Sequence, residues 1–378
     1  MDRRDASAWV RSVCTVTLRK SQAKTLSVLV AAALTVSRVS LANLGRALPG
    51  ESWAKHKIKR AGRFLANDRI EVSTAMAGVL APLLKRWRKG YKNKPLVVSL
   101  DWTDIRGLQV LMAAAVVQGR SIPLLWASCS KNVWDGHKSR NSFEEALLLL
   151  LRNLIPRTLG LEIVLLADRG FGRTELGRFC QQQGFHYVIR IQPKVWIQVG
   201  SVKTRLDQYP VSRGICRRLN DVLYHVVHHP LPQHVIVRWK PGLPPRRDAC
   251  WYLMTDLPQS ARTLSDLYAK RMEIEEFFRD VKNRRQGWAL RDTGITDPDR
   301  LDRLILILAI AYLLLVGLGL HARCYHRNGR WASSNRADSL SAFRLGQLAL
   351  LDLSVGLETL LRRLLAVAMA VTPSEKWG

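Results

Sequence analysis

The chain has 378 residues, 47% of them hydrophobic, and its 59 Lys and Arg against 30 Asp and Glu leave a net charge of +29. An apolar fraction of that size, with twelve Trp, excludes a disordered chain and allows a large core or several domains. So large a cationic excess repels itself and calls for a polyanionic partner, nucleic acid before an anionic membrane surface.

Residues 1–93 read as a helical region expected to bind DNA. Ser27–Val36 is an Ala-rich apolar run. Ser40–Leu48 and Ala54–Leu65 read as two short helices parted by Pro49-Gly50. They resemble a helix-turn-helix pair whose second helix carries Lys55, Lys57, Lys59, Arg60 and Arg63, a pattern that on its own also suits a solvated basic face. Lys85–Lys94 reads as a basic linker in which Trp87 or Tyr91 is free to stack on a base. Cys14, Cys129, Cys180, Cys216, Cys250 and Cys324 are scattered without a CxxC pair, as in reduced cytoplasmic proteins, and give no zinc signature. No apolar signal run follows Met1, so a cytoplasmic location is expected.

From Pro95 the apolar period changes. Within residues 94–193, Leu96–Leu100, Leu108–Val116 and Ile122–Ala127 read as a meander of strands, the last two joined by a turn at Gln118–Ser121. Ser142–Glu145 reads as a capping box opening a helix that reaches Leu154. A strand over Leu161–Leu166, a helix over Thr174–Gln183 and a strand over Tyr187–Ile191 follow. Three strands, helix, strand, helix, strand is the order of an α/β ribonuclease H-like core. Residues 194–258 read as an all-β insertion of short runs between Pro- and Arg-rich turns. Residues 259–325 return to helix and complete the core, and residues 326–378 form a helical C-terminal region, a candidate for dimerisation. Leu304–Leu320 carries no charge over the short limit of a membrane span, but it also reads as a helix buried on all sides, and no membrane partner is expected.

Two aspartates close apolar strands, Asp101 after Leu96–Leu100 and Asp168 after Leu161–Ala167. Side chains at such ends leave the core yet stay rigidly placed. Tyr268 to Lys282 supplies a third carboxylate. As one helix it sets Tyr268, Arg271, Glu275 and Lys282 within a stripe of about 60°, beside an apolar face of Leu267, Ile274, Phe277, Phe278 and Val281. By itself that stripe is equally an ion-paired helix. Asp101, Asp168 and Glu275 would repel one another on convergence unless a cation held them, and oxygen donors suit Mg²⁺ or Mn²⁺. Two such ions per site serve in-line phosphoryl displacement. Asp104 reads as a supporting or turn residue. His225, His228, His229 and His234 alternate about a strand and a Pro-broken loop, a poor arrangement for one ion.

Three stretches carry a resemblance: Asp101-Trp-Thr-Asp-Ile-Arg106, Ala167-Asp-Arg-Gly-Phe171 and Tyr268-Ala-Lys-Arg-Met-Glu-Ile-Glu-Glu-Phe-Phe-Arg-Asp-Val-Lys282. They resemble the insertion-sequence-four family of bacterial DDE transposases, marked by a Tyr-x₂-Arg-x₃-Glu-x₆-Lys signature, and most of all its Tn-ten type. The resemblance implies that Asp101, Asp168 and Glu275 bind the catalytic metal ions and that Tyr268, Arg271 and Lys282 hold phosphates of the transposon end. It implies too that Trp251 steadies a flipped base, although its spacing from Tyr268 varies within the family. The implied activity is cut-and-paste transposition by a homodimer on paired terminal inverted repeats, with hairpin ends joined to target double-stranded DNA. A ribonuclease H-like nuclease that does not transpose and a DNA-binding regulator without catalysis are the alternative readings.

Overall fold

The computed structural model describes every residue except 91–93, 134–138, 211, 213, 240–249, 326–329, 332–339, 353 and 372–378, together with the side chain of Met369. Five helices come first: α1 (Arg3–Cys14), α2 (Lys20–Ala33), α3 (Leu41–Arg46), α4 (Ala54–Leu65) and α5 (Val72–Gly90). Asp2 caps α1 by accepting the amides of Arg4 and Asp5. Where α3 crosses α4, a Cβ on Gly45 would stand 2.5 Å from the Ile58 Cα, so only glycine permits the approach. Helix α4 buries Ala61, Phe64 and Leu65 and exposes Lys55 and Lys59.

The basic linker expected over Lys85–Lys94 is not one. Residues 85–90 are the last turns of α5, and Trp87 is buried with Leu80, Leu83 and Leu84, at the spacing of one helix face. Its indole N–H donates to the Lys94 carbonyl at 3.4 Å. Tyr91, the other stacking candidate, lies outside the described residues.

The strands β1 (Leu96–Ile105), β2 (Leu108–Val117), β3 (Arg120–Ser130), β4 (Ile163–Ala167), β5 (His186–Arg190), β6 (Trp196–Val199), β7 (Val202–Arg205), β8 (Cys216–Tyr224), β9 (Leu231–Trp239) and β10 (Cys250–Thr255) form one sheet. Their order is β3-β2-β1-β4-β5-β10-β9-β8-β6-β7. Strands β1, β4 and β5 run parallel, while β2 and β3 form an antiparallel meander on β1. The expected β-rich stretch is present, but β10 pairs with β5, so its strands extend the central sheet instead of closing a sheet of their own. Between β3 and β4 lies α6 (Arg140–Leu154), and between β4 and β5 lies α7 (Thr174–Gln183). Helix α6 starts earlier than expected. Ser139 is its cap, accepting the Ser142 amide at 3.1 Å, so Ser142 is the partner within the box and Glu145 is not.

Helices α8 (Ala261–Ala269), α9 (Glu273–Lys282), α10 (Pro298–Tyr325), α11 (Ala342–Asp352) and α12 (Leu357–Met369) complete the mixed α/β architecture. Helix α10 is long and apolar enough to cross a membrane, yet 94% of its most apolar window is buried inside the protein. It packs against β3, α2, α4, α11 and α12. A helix apolar all round is what a position at the centre of a large core requires. The C-terminal end at 372–378 lies outside the described residues.

Candidate active site

Strand β1 does not stop at Leu100. Pairing with β2 carries it through Asp101 to Ile105, where Arg106 and Gly107, at φ 52° and 84°, form the two-residue turn into β2. Pairing with β4 does stop there, at Leu100 opposite Ala167. Asp101 therefore sits where β1 loses its parallel neighbour, beside the next residue of that neighbour's chain, Asp168. The period of two turns Asp101 and Thr103 to one face of the sheet and Trp102 to the other. Each aspartate is held locally: Asp101 Oδ1 accepts the Trp102 amide at 2.9 Å, and Asp168 Oδ1 accepts the Gly170 amide at 2.8 Å.

The segment from Tyr268 to Lys282 is not one uniform helix. A 3-10 turn over residues 270–272 separates α8 from α9. Tight turns of that kind advance about 120° per residue instead of 100°, which rotates Tyr268 relative to Glu275 and breaks the straight stripe. What the turn does is aim Arg271 into the sheet. Arg271 is 8% exposed, and its guanidinium bridges two carboxylates, Nη1 to Asp101 Oδ2 at 3.2 Å and Nη2 to Glu275 Oε1 at 2.6 Å. Farther along α9, Lys282 Nζ donates to the Thr103 hydroxyl, two residues from Asp101 on the same face of β1. Ile274, Phe277, Phe278 and Val281 anchor α9 in the core.

The charges interact as the distances suggest. Burial pushes the Asp101 carboxyl up to about 6; Arg271 opposes that, and the negative charges of Asp168 and Glu275 add to it. Lys282 is pushed down to about 8, by burial first and by Arg291 second, against the pull of Asp104 and Asp101. Tyr268 is buried, its phenol held above the ordinary range chiefly by burial. It meets Trp251 of β10 edge to face, ring centroids 5.2 Å apart, with Arg238 5.8 Å above the Trp251 ring. Asp104 pairs at the surface with Lys131 at 2.6 Å.

Among the described residues, no three His, Cys, Asp or Glu side chains converge tightly enough to hold one metal ion. Arg271 stands between Asp101 and Glu275 and sets a positive charge beside both carboxylates. The donors still suit a hard divalent cation in kind: they are carboxylate oxygens, and the ionisation of Asp101 is held back first by burial and then by the like charges of Asp168 and Glu275, which such an ion would offset. Glu275 is the most exposed member of the ion-paired cluster, with 42% of its side chain open to solvent. Thr103 was not singled out from the sequence, although its position two residues after Asp101 already placed both on one strand face.

A family model described as a transposase DDE domain matches residues 92–314, more than half of the chain, from the start of the sheet well into α10. A comparison with curated proteins gives no match.

Proposed function

The chain belongs to the DDE transposases, and from that premise we propose that it is a cut-and-paste enzyme of the insertion-sequence-four type. It binds the terminal inverted repeats of its element, cleaves the ends by way of hairpins and joins them to target DNA. The observation that carries this reading is the Asp101–Arg271–Glu275 chain of ion pairs, set where β1 and β4 part and next to Asp168. The order β3-β2-β1-β4-β5, with β1, β4 and β5 parallel, supports a ribonuclease H-like core. The spacing of Tyr268, Arg271, Glu275 and Lys282 supports the subtype.

Enzymes of this family use divalent metal ions. Here Asp101, Asp168 and Glu275 would hold two, Mg²⁺ or Mn²⁺, which stabilise charge on the attacking and leaving oxygens of the phosphodiester. The protein's own groups have separate tasks. Asp101, on a strand fixed by β2, gives a rigid donor. Arg271 exchanges its carboxylates for a DNA phosphate, for which its planar fork is matched, and so frees Glu275. Lys282 offers a point charge at the edge of α9, and Trp251, packed on Tyr268, presents a ring to an unstacked base.

End recognition falls to the N-terminal helices. Helix α4 turns Lys55 and Lys59 outward, and Trp53, just before its first residue, is 78% exposed. Trp53 thus offers the aromatic surface that the buried Trp87 does not. A homodimer in the cytoplasm, pairing two ends, completes the reading.

The test uses the full chain, Mg²⁺, a duplex carrying the terminal repeat and flank of its own element, and a supercoiled target plasmid. Hairpin-ended intermediates and plasmids with joined ends are expected. Cuts without joining would replace this reading by the nuclease, and binding without cuts by the regulator.

A further inference from the structure

We propose that Glu144, on the opposite face of the sheet, is a positioning residue that fixes Asp101 and Asp168 relative to each other and thereby sets the affinity of the site for divalent ions. The inference rests on those two aspartates being metal donors. Glu144 lies in the second turn of α6, its side chain 2% exposed. Its Oε1 accepts the Trp102 indole N–H at 2.8 Å, and its Oε2 pairs with Arg173 Nη1 at 2.5 Å. Arg140 approaches from one helical turn earlier, at 3.5 Å.

The two partners belong to the two segments that carry the aspartates. Trp102 follows Asp101 directly, so fixing its ring fixes the roll of the strand about Asp101. Phe143, 5.5 Å away between centroids, and Arg140, 4.6 Å above the ring, bracket the indole. Arg173 closes the short turn after β4, the turn whose Gly170 amide holds the Asp168 carboxylate. Its second nitrogen bonds the Asn141 carbonyl and Glu145, each at 3.3 Å. One buried carboxylate therefore ties the Asp101 strand and the Asp168 turn to the same end of α6.

Stability alone gives little reason for such a group. A buried ion pair roughly breaks even against an apolar replacement, because both charges lose their water. A supporting residue behind metal donors behaves differently, and its loss typically weakens metal affinity or activity by about 10- to 100-fold.

The experiment measures Mn²⁺ binding to the full-length protein by calorimetry without DNA, alongside the Mg²⁺ concentration for half-maximal cleavage of the element-end duplex. Glu144→Gln keeps the shape and an acceptor for Trp102 but loses the charge that holds Arg173. It is expected to weaken Mn²⁺ binding and raise the Mg²⁺ requirement by about 10-fold. DNA binding in a gel shift without divalent ions should be unchanged, and Glu144→Asp should recover part of the loss. Trp102→Phe removes one hydrogen bond while keeping a ring against Phe143, so it reports the same shift, smaller, should Glu144→Gln fail to fold. Unchanged Mn²⁺ affinity in folded Glu144→Gln and Trp102→Phe overturns the inference. Asp101→Asn separates the premises: if it too leaves Mn²⁺ binding intact, the metal reading of the site fails; if it alone loses the ion, only the role of Glu144 does.

Discussion

At the scale of single residues, the site is a set of like charges held at close quarters by one guanidinium. Asp101, pushed up to about 6, titrates within the working range of an enzyme. Its folded value lies above its unfolded one, so the folded state holds the proton longer. The sign follows: stability falls as pH rises from the ordinary aspartate range to about 6 and is level beyond it, a loss of about 3 kcal/mol for a shift of this size. Denaturant melts of wild type and Asp101→Asn between pH 4 and 7 should converge at the acid end, with wild type weakening as pH rises and the variant level. Equal pH slopes in the two proteins would remove Asp101 from the account. Asp101 and Asp168 stand out in the sequence as carboxylates that follow apolar strands, and Glu275 as a carboxylate on an amphipathic helix. The place of Arg271 does not, since helix periodicity gives a direction and not a partner 170 positions away in the chain.

At the scale of elements, charge masks one pattern and packing imposes another. Leu80, Leu83, Leu84 and Trp87 repeat as one helix face, yet the lysines and arginines around them read as a linker. The 3-10 turn at 270–272 was invisible because no Pro or Gly marks it; tertiary packing of α8 on β5, β8 and β9 and of α9 on β1, β2 and β3 imposes it. These placements predict opposite outcomes for two tryptophans. Trp87→Ala should cost about 3–5 kcal/mol of stability, as large core truncations do, and leave DNA affinity of the folded fraction intact. Trp53→Ala should leave the melting temperature in place and weaken binding to end DNA by about 5- to 150-fold, the value of one lost stacking contact. Melting curves and gel shifts on the same samples decide between them.

At the scale of the whole molecule, one sheet joins everything. The central five strands were readable in type and order because each is a short apolar run between turn signals. The joining of β10 to β5 was not, since register between strands distant in sequence leaves no local trace. The charge of +29 belongs to this scale as well. Affinity for duplex DNA should fall at least about 10³-fold between 50 and 200 mM salt, the response of six or more phosphate contacts, as titrations by anisotropy would read. A flat response would detach the charge from nucleic-acid binding. The central claim, that the Asp101–Arg271–Glu275 cluster with Asp168 cuts DNA, is most directly tested by Glu275→Gln, which keeps size and hydrogen bonding but removes the charge. Binding to the element-end duplex should be normal and Mg²⁺-dependent strand cleavage absent; cleavage at the wild-type rate would remove Glu275 from the site.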